Sequence, residues 1–168
     1  MRALVLHPHP VLRRRAEPIG EIDGRVRDLA EQMIRIMHEE DGYGLAAPQV
    51  GESLRLFVTQ REDDEEDDAG GIVYINPRII RVDGTLEAQE EGCLSLPNIR
   101  GSVRRQPFVE IEATDLDGRA FRMESSELMA RCWQHEMDHL DGVLIIDRMS
   151  VMDRLVNRKK LKALEEGD

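Results

Sequence analysis

Cys132-Trp133-Gln134-His135-Glu136-Met137-Asp138-His139-Leu140-Asp141-Gly142 is the stretch around which the rest of the chain can be read. It carries the pattern His-Glu-x-x-His. On a helix, residues four apart lie one above the other, so His135 and His139 share a face. Two imidazoles placed that way can grip one metal ion. Glu136 beside them can take a proton from water activated there. The competing reading is a surface helix that happens to carry two histidines, but the chain has only five in all. Asp138 and Asp141 read as solvated groups, or as carboxylates that orient a ligating imidazole, rather than as ligands.

The length of 168 residues predicts one domain, residues 1–168, with room for a substantial core. Lys and Arg total 23 against 34 for Asp and Glu, a net charge of −11. That is the wrong sign for a protein binding nucleic acid over its whole surface. Much of the excess is local, because Glu62 to Asp68 is an unbroken acidic run. No apolar run is long enough to span a membrane. The opening residues Met1 to His7 are too short an apolar stretch for a signal peptide. Cys93 and Cys132 could form one disulfide. Without a secretory signal, reduced thiols and a cytoplasmic protein are expected.

Ala3 to Leu6 reads as a short strand or an extended lead-in, and His7-Pro8-His9-Pro10 interrupts regular structure. His7 and His9 read as turn residues rather than as a second metal site. Val26, Leu29, Ala30, Met33, Ile36 and Met37 recur at helical spacing behind Asp23, a good N-cap, which predicts a helix over 24–40 with His38 at its exposed end. Gly42 to Gly51 is rich in glycine and small residues. It describes a tight loop whose backbone comes close to something, with Gln49 as its one amide side chain.

Leu54 to Thr59, Ile72 to Ile75 and Ile79 to Val82 read as strands, the last two separated by Asn76-Pro77. The acidic run is expected to be a solvated loop. It lacks the spaced ligands of a calcium-binding loop. Phe108 to Thr114 and Arg119 to Met123 flank Asp117-Gly118, a hairpin signal. Ser125 or Ser126 can cap the His135 helix, and Gly142 can end it. Ser150 to Asp153 has capping-box spacing and opens a final helix, about 150–166. The element order predicts an α+β fold, with short antiparallel sheets packed around the His135 helix and a helix at each end of the chain. Cys93, after a glycine in the turn-rich segment 90–97, is poorly explained by core packing. It reads as a nucleophile or as a metal ligand.

Three segments now stand together: Gly44-Leu45-Ala46-Ala47-Pro48-Gln49, Glu91-Gly92-Cys93-Leu94-Ser95 and Gln134-His135-Glu136-Met137-Asp138-His139. In order and separation they resemble the three signatures of the peptide deformylase family. His7-Pro8, Leu12 to Arg14 and Asn76-Pro77 resemble it too. The resemblance implies an enzyme that removes the formyl group from N-terminal formyl-methionine of nascent chains. It implies Cys93 as the third metal ligand with His135 and His139, with Cys132, one helical turn before His135, as the competing thiol. It implies Glu136 as proton carrier, and the Gln49 side chain with the Leu94 backbone N–H as oxyanion donors. Tyr43, Gly44, Leu45 and Gly92 would align the peptide main chain. Leu128, Arg131 and Cys132, with Arg100 at the mouth, would line the methionine pocket. The implied ion is Fe²⁺ in the cell, replaceable by Zn²⁺, Ni²⁺ or Co²⁺. The implied partners are formyl-methionyl peptides, with ribosome contact through the basic C-terminal helix and no membrane.

Two features depart from the family pattern. Tyr43 stands where a branched aliphatic residue is common, and the acidic run looks expanded. A zinc peptidase would use the same His135, Glu136 and His139, but it usually draws a third ligand from downstream, and no histidine follows His139. A binding module that has lost catalysis is the other rival. Against it, Gln49, Cys93, His135, Glu136 and His139 are all present.

Overall fold

A computed structural model describes residues 2–62 and 70–167. Six of the seven acids in the run, 63–68, lie outside the described residues, and so does the expectation of a solvated loop there. A short 3-10 turn, Pro10–Arg13, precedes the first helix, α1, Gly24–Glu39. Asp23 caps α1 as its side chain predicts, accepting from the backbone N–H of Arg25 and Val26 at 3.1 Å. Seven strands follow: β1 Gly44–Ala46, β2 Leu56–Thr59, β3 Ile72–Asp83, β4 Glu87–Cys93, β5 Leu96–Arg105, β6 Phe108–Thr114 and β7 Ala120–Ser125. Then come α2 Leu128–Leu140, α3 Ile145–Arg148, α4 Val151–Val156 and α5 Arg158–Glu165.

The strands form two antiparallel sheets. One has five strands in the order β1-β2-β3-β6-β7, and the other is the β4-β5 ribbon. Helices cover both faces of the large sheet. Leu56 and Val58 of β2, with Val73 and Ile75 of β3, point towards Leu29, Met33 and Met37 of α1. Phe57 and Tyr74 point the other way, towards Trp133 of α2. Alternation puts successive side chains on opposite faces, so a strand covered on both sides is buried at every position, as β2 is. The Trp133 indole donates to the Tyr74 hydroxyl at 2.9 Å, and that hydroxyl meets Thr59 Oγ1 at 3.0 Å, which satisfies the polar atoms of this interior. A third cluster joins Leu96, Ile99 and Val103 of β5 to Val11, Leu12, Ile145 and Met149. Thus α2 is packed between the large sheet and the ribbon, the α+β arrangement expected.

Several local expectations shift. Asn76-Pro77 does not separate two strands, because β3 runs through it with a change of register. Asn76 takes a positive φ of 49°, and its side-chain amide closes two 2.8 Å bonds onto Ile19, replacing the lost ladder bonds. Neither Ser125 nor Ser126 is the cap of α2. The cap is Glu127, because Ser125 still belongs to β7; the Ser125 hydroxyl instead accepts from the Glu127 N–H at 3.0 Å. Gly142, with φ 76°, follows the last turn of α2 as expected. The final helix is broken at Asn157, whose buried amide donates to the carbonyls of Arg100 and Asp153 at 2.8 Å and ties the break to β5. His9 caps the 3-10 turn by accepting from Val11 N–H. Its neighbour His7 is buried, against Glu165 of α5. His38, at the end of α1, is tied to the Gly70 carbonyl at 2.7 Å. Among the described residues no helix is long and apolar enough to cross a membrane.

Candidate metal centre and cleft

One helical turn on α2 carries His135 and His139, and the end of β4 brings Cys93 to them. The two Nε2 atoms are 3.2 Å apart, and Cys93 Sγ is 3.4 Å from His139 Nε2. All three donor atoms lie within 4.8 Å of one another. A tetrahedral divalent ion with ordinary nitrogen and sulfur distances needs edges of roughly 3.3 Å between nitrogens and 3.6 Å between nitrogen and sulfur. The donor set fits such an ion. Cys132 is not part of this group; burial, with the Glu136 charge adding to it, pushes its thiol well above the usual range and keeps it protonated.

The electrostatics favour a cation at the same place. Burial takes His139 well below the ordinary imidazole value, and the neighbouring His135 charge takes it further, so its lone pair is available. For His135, burial alone would lower the value, but hydrogen bonds to Cys93 and Glu91 override it and raise the group well above the usual range. A divalent ion would supply the positive charge in place of that proton. Glu136 is buried against the same helix face, and its Oε1 lacks a hydrogen-bond partner. Burial lifts its carboxyl to about 7.

Gln49 reaches the centre from the 3-10 turn Ala47–Val50. Its Oε1 accepts from Ala46 N–H at 3.0 Å, which fixes the flip of the amide. Its Nε2 then donates to Ser95 Oγ at 3.2 Å and faces Cys93 Sγ at 3.7 Å. Ser95 hands its own proton to the Val5 carbonyl at 2.7 Å. The extended segment before His7 therefore buttresses the cysteine loop.

These groups stand in a cleft of about 720 Å³. Tyr43, Gly44, Gly92, Cys93, Leu94, Arg100, Leu128, Arg131, Cys132, His135 and Glu136 all line it, with Gln49 at its floor. Tyr43 and Leu128 are exposed at the rim. The side chain of Leu45 is wholly buried in the α1 core, so only its backbone is available to the cleft. The Tyr43 carbonyl accepts from Gln60 N–H at 2.9 Å, in register with the β1-β2 pairing. Alternation then turns the N–H and C=O of Gly44 away from β2, to the open edge of the sheet.

Sequence reasoning missed the charged groups behind the ligands. Glu91, not Asp138, orients a histidine, its Oε1 meeting His135 Nδ1 at 3.1 Å. The carboxyl of Glu91 is held far below its usual range: burial opposes this, but hydrogen bonds with His135 and Arg105 prevail. Asp138 is buried too and accepts from Arg105 at 2.6 Å. Arg131, besides lining the cleft, is a clamp that ties Glu91 to the carbonyls of Val103 and Glu87 at 2.9 and 2.6 Å.

Residues 1–155 match the family model described as polypeptide deformylase. A peptide deformylase of Acidobacterium capsulatum is 46% identical over 169 residues, covering 100% of this chain and 98% of that protein. The crystal structure of peptide deformylase from Plasmodium falciparum superposes with a TM-score of 0.91 at 35% identity, covering 98% of this chain and 96% of the other. A peptide deformylase from Synechococcus elongatus, solved in complex with actinonin, gives a TM-score of 0.88 at 41% identity over 95% of this chain and 87% of the other.

Proposed function

The chain belongs to the polypeptide deformylase family, metal-dependent hydrolases that remove the N-formyl group from nascent peptides, and from that premise we propose how its own residues divide the work. Cys93, His135 and His139 hold one divalent ion. When bound there, the ion supplies Lewis acidity, which acidifies water and polarises the formyl oxygen. Glu136 accepts the proton of the water that attacks the formyl carbon. Gln49 Nε2 and the Leu94 backbone N–H donate to the oxyanion that forms. Glu136 then passes the proton to the amine nitrogen as the C–N bond breaks, and formate leaves. Gly44 on the edge of β1 and Gly92 on the facing wall align the peptide as an added strand, flanked by Tyr43 and the backbone of Leu45. Leu128, Arg131 and Cys132 enclose the methionine side chain, and Arg100 stands at the mouth.

The observation that supports this reading is convergence. A thiol, an imidazole, a buried carboxylate and an amide of fixed orientation line one cleft, and the second imidazole, His139, stands behind them within reach of the same ion. The test is formate release from formyl-methionyl peptides beside cleavage of ordinary peptides. Release without cleavage is expected, and cleavage without release would overturn the reading. A thiolate with two imidazoles suits Fe²⁺, Zn²⁺, Ni²⁺ or Co²⁺. Fe²⁺ is the ion proposed for the cell, checked by elemental analysis of anaerobically purified protein. The whole of 1–168 is proposed to act as one catalytic domain in the cytoplasm. The C-terminal helices are proposed to contact the ribosome. Supporting this, Arg154, Arg158 and Lys162 border a shallow groove beside the exposed apolar residues Val151 and Leu155. A phosphate-rich partner rewards such a local basic patch by counterion release. The apolar residues of this segment divide between two directions: Leu161 and Leu164 pack on the core, whereas Met152 and Leu155 face outward.

A further inference from the structure

An unbroken run of alternating charges connects the protein surface to His135. Its outer end is Arg148 of α3, whose side chain is 46% exposed. Arg148 grips both oxygens of Asp138, Nε to Oδ2 and Nη2 to Oδ1, the latter at 2.8 Å. Asp138 Oδ2 also accepts from Arg105 Nη1 at 2.6 Å. Arg105 lays its other edge, Nε and Nη2, on the two oxygens of Glu91 at 3.0 Å each. Glu91 Oε1 meets His135 Nδ1 at 3.1 Å. Glu91, Arg105 and Asp138 are 7%, 4% and 9% exposed, so protein partners rather than water hold them in place.

We propose that Arg148 is a positioning residue for the metal centre. Through Asp138, Arg105 and Glu91 it fixes the ring of His135, and the small helix α3 thereby sets how tightly the site holds a divalent cation. The inference rests on the ligand reading above, since His135 must be a ligand for its ring orientation to matter. A guanidinium is a rigid planar fork, and all three nitrogens of Arg105 are committed. Its roll about the Glu91 contact is therefore dictated by where Asp138 stands. Arg148 and Arg105 share Asp138 Oδ2, so without Arg148 the carboxylate is free to rotate onto Arg105 alone and carry that fork with it. Glu91 is gripped at both oxygens by Arg105 and at Oε2 by Arg131 as well, so it pivots about the Arg131 contact as the fork moves, and the imidazole it orients turns too. The alternative is that the Arg148–Asp138 pair merely docks α3 on α2.

A control residue separates the two. Arg13 pairs with Asp147 on the same small helix but touches no member of the charge run. The experiment measures Co²⁺ affinity by chelator competition, together with the visible spectrum of the Co²⁺ protein. It compares the unaltered chain with Arg148→Met, Arg148→Lys, Arg13→Met, Glu91→Gln and Cys93→Ala. Loss of the carboxylate charge in Glu91→Gln is expected to weaken binding roughly 10- to 100-fold. Arg148→Met acts at a distance and is expected to weaken it roughly 3- to 10-fold and to shift the ligand-field bands. Arg148→Lys keeps the charge but loses the fork, so binding weakens by about twofold or more. Arg13→Met lowers the melting temperature and leaves affinity unchanged.

Unaltered affinity in Arg148→Met beside a weakened Glu91→Gln overturns the proposal, because the chain of influence then ends at Glu91. Equal weakening by Arg13→Met overturns it in favour of simple docking of α3. Should Arg148→Met fail to fold, the lysine variant decides, and full affinity with an unmoved spectrum there overturns the proposal. Failure of the ligand reading has a different signature: Cys93→Ala would keep a sulfur-to-cobalt charge-transfer band.

Discussion

Gly44 and Glu136 are in direct contact. A Cβ added to Gly44 would stand 2.8 Å from Glu136 Oε2 and 2.9 Å from Cys132 Sγ, closer than real Cβ atoms approach. The glycine lets the edge strand lie flat on α2 just where the proposed proton carrier sits. Gly44→Ala is therefore expected to displace Glu136 and lower turnover by roughly 10²-fold, the cost of a misplacement near 1 Å, with metal content unchanged. Kinetics beside elemental analysis check this. Normal turnover would mean that the contact relaxes without consequence.

Glu136→Ala is expected to keep the metal, because Glu136 stands outside the Cys93–His135–His139 group. Turnover is expected to fall roughly 10²-fold or more, the usual worth of a positioned proton carrier. A metal-loaded variant with near-normal turnover would remove Glu136 from that role.

The two thiols make opposite predictions. Cys93→Ala loses metal and activity together. Cys132→Ala retains metal and chiefly raises KM, because Cys132 lines the cleft without joining the donor group. The reverse pattern of metal content would require a different ligand set.

Much of this was legible in the sequence, and the reasons are physical. His135 and His139 declare themselves by a four-residue spacing, and α1 by its 3.6-residue period. The β4-β5 ribbon did not declare itself. Glu87, Ala88, Gln89 and Glu90 are all exposed, so β4 carries no apolar alternation; pairing with β5 makes it a strand. In β5 an arginine, Arg105, takes an inward position where a period-2 reading wants an apolar residue. Its burial depends on Glu91 and Asp138, 14 and 33 residues away, and such mutual dependence leaves no local trace. Glu91 was hidden in the same way, as a charge that reads as surface until its partners are known. Asn157 was hidden by size, since one buried amide broke a helix that composition alone would continue.

Asp147 carries the pH dependence expected of the Arg13 contact. Burial works to raise its carboxyl, but hydrogen bonds from Arg13 and from the Leu144 N–H hold it below the usual range. A folded value below the unfolded one, near 4, means the contribution is present above that pH and is lost as pH falls through the folded value. The pair is partly exposed, so screening leaves roughly 0.5 kcal/mol. Asp147→Asn is expected to lower the melting temperature by about 2 °C at pH 7, and the difference should close in acid. Melting curves at several pH values check this, and a difference that persists at low pH would contradict it.

For the C-terminal helices, replacing Arg154, Arg158 and Lys159 by Glu is expected to leave activity on short formyl-methionyl peptides intact while co-sedimentation with ribosomes at low salt falls. Unchanged sedimentation would mark these residues as solvated surface only.

On the peptide alignment proposed for Gly44, the end position of β1 in its sheet, with the Gly44 peptide groups turned outward, has a consequence for which clients the enzyme can serve. A bare sheet edge recognises main chain, and every polypeptide has the same main chain. Past the first residue, a client offers little that the edge could refuse on grounds of sequence. What it can refuse is shape: a segment already wound into a helix, or already paired within another sheet, has no hydrogen-bonding groups left to offer. Selection by an open edge is therefore selection by age. Such an edge would admit chains of any composition during the brief interval after they emerge and before their first residues fold.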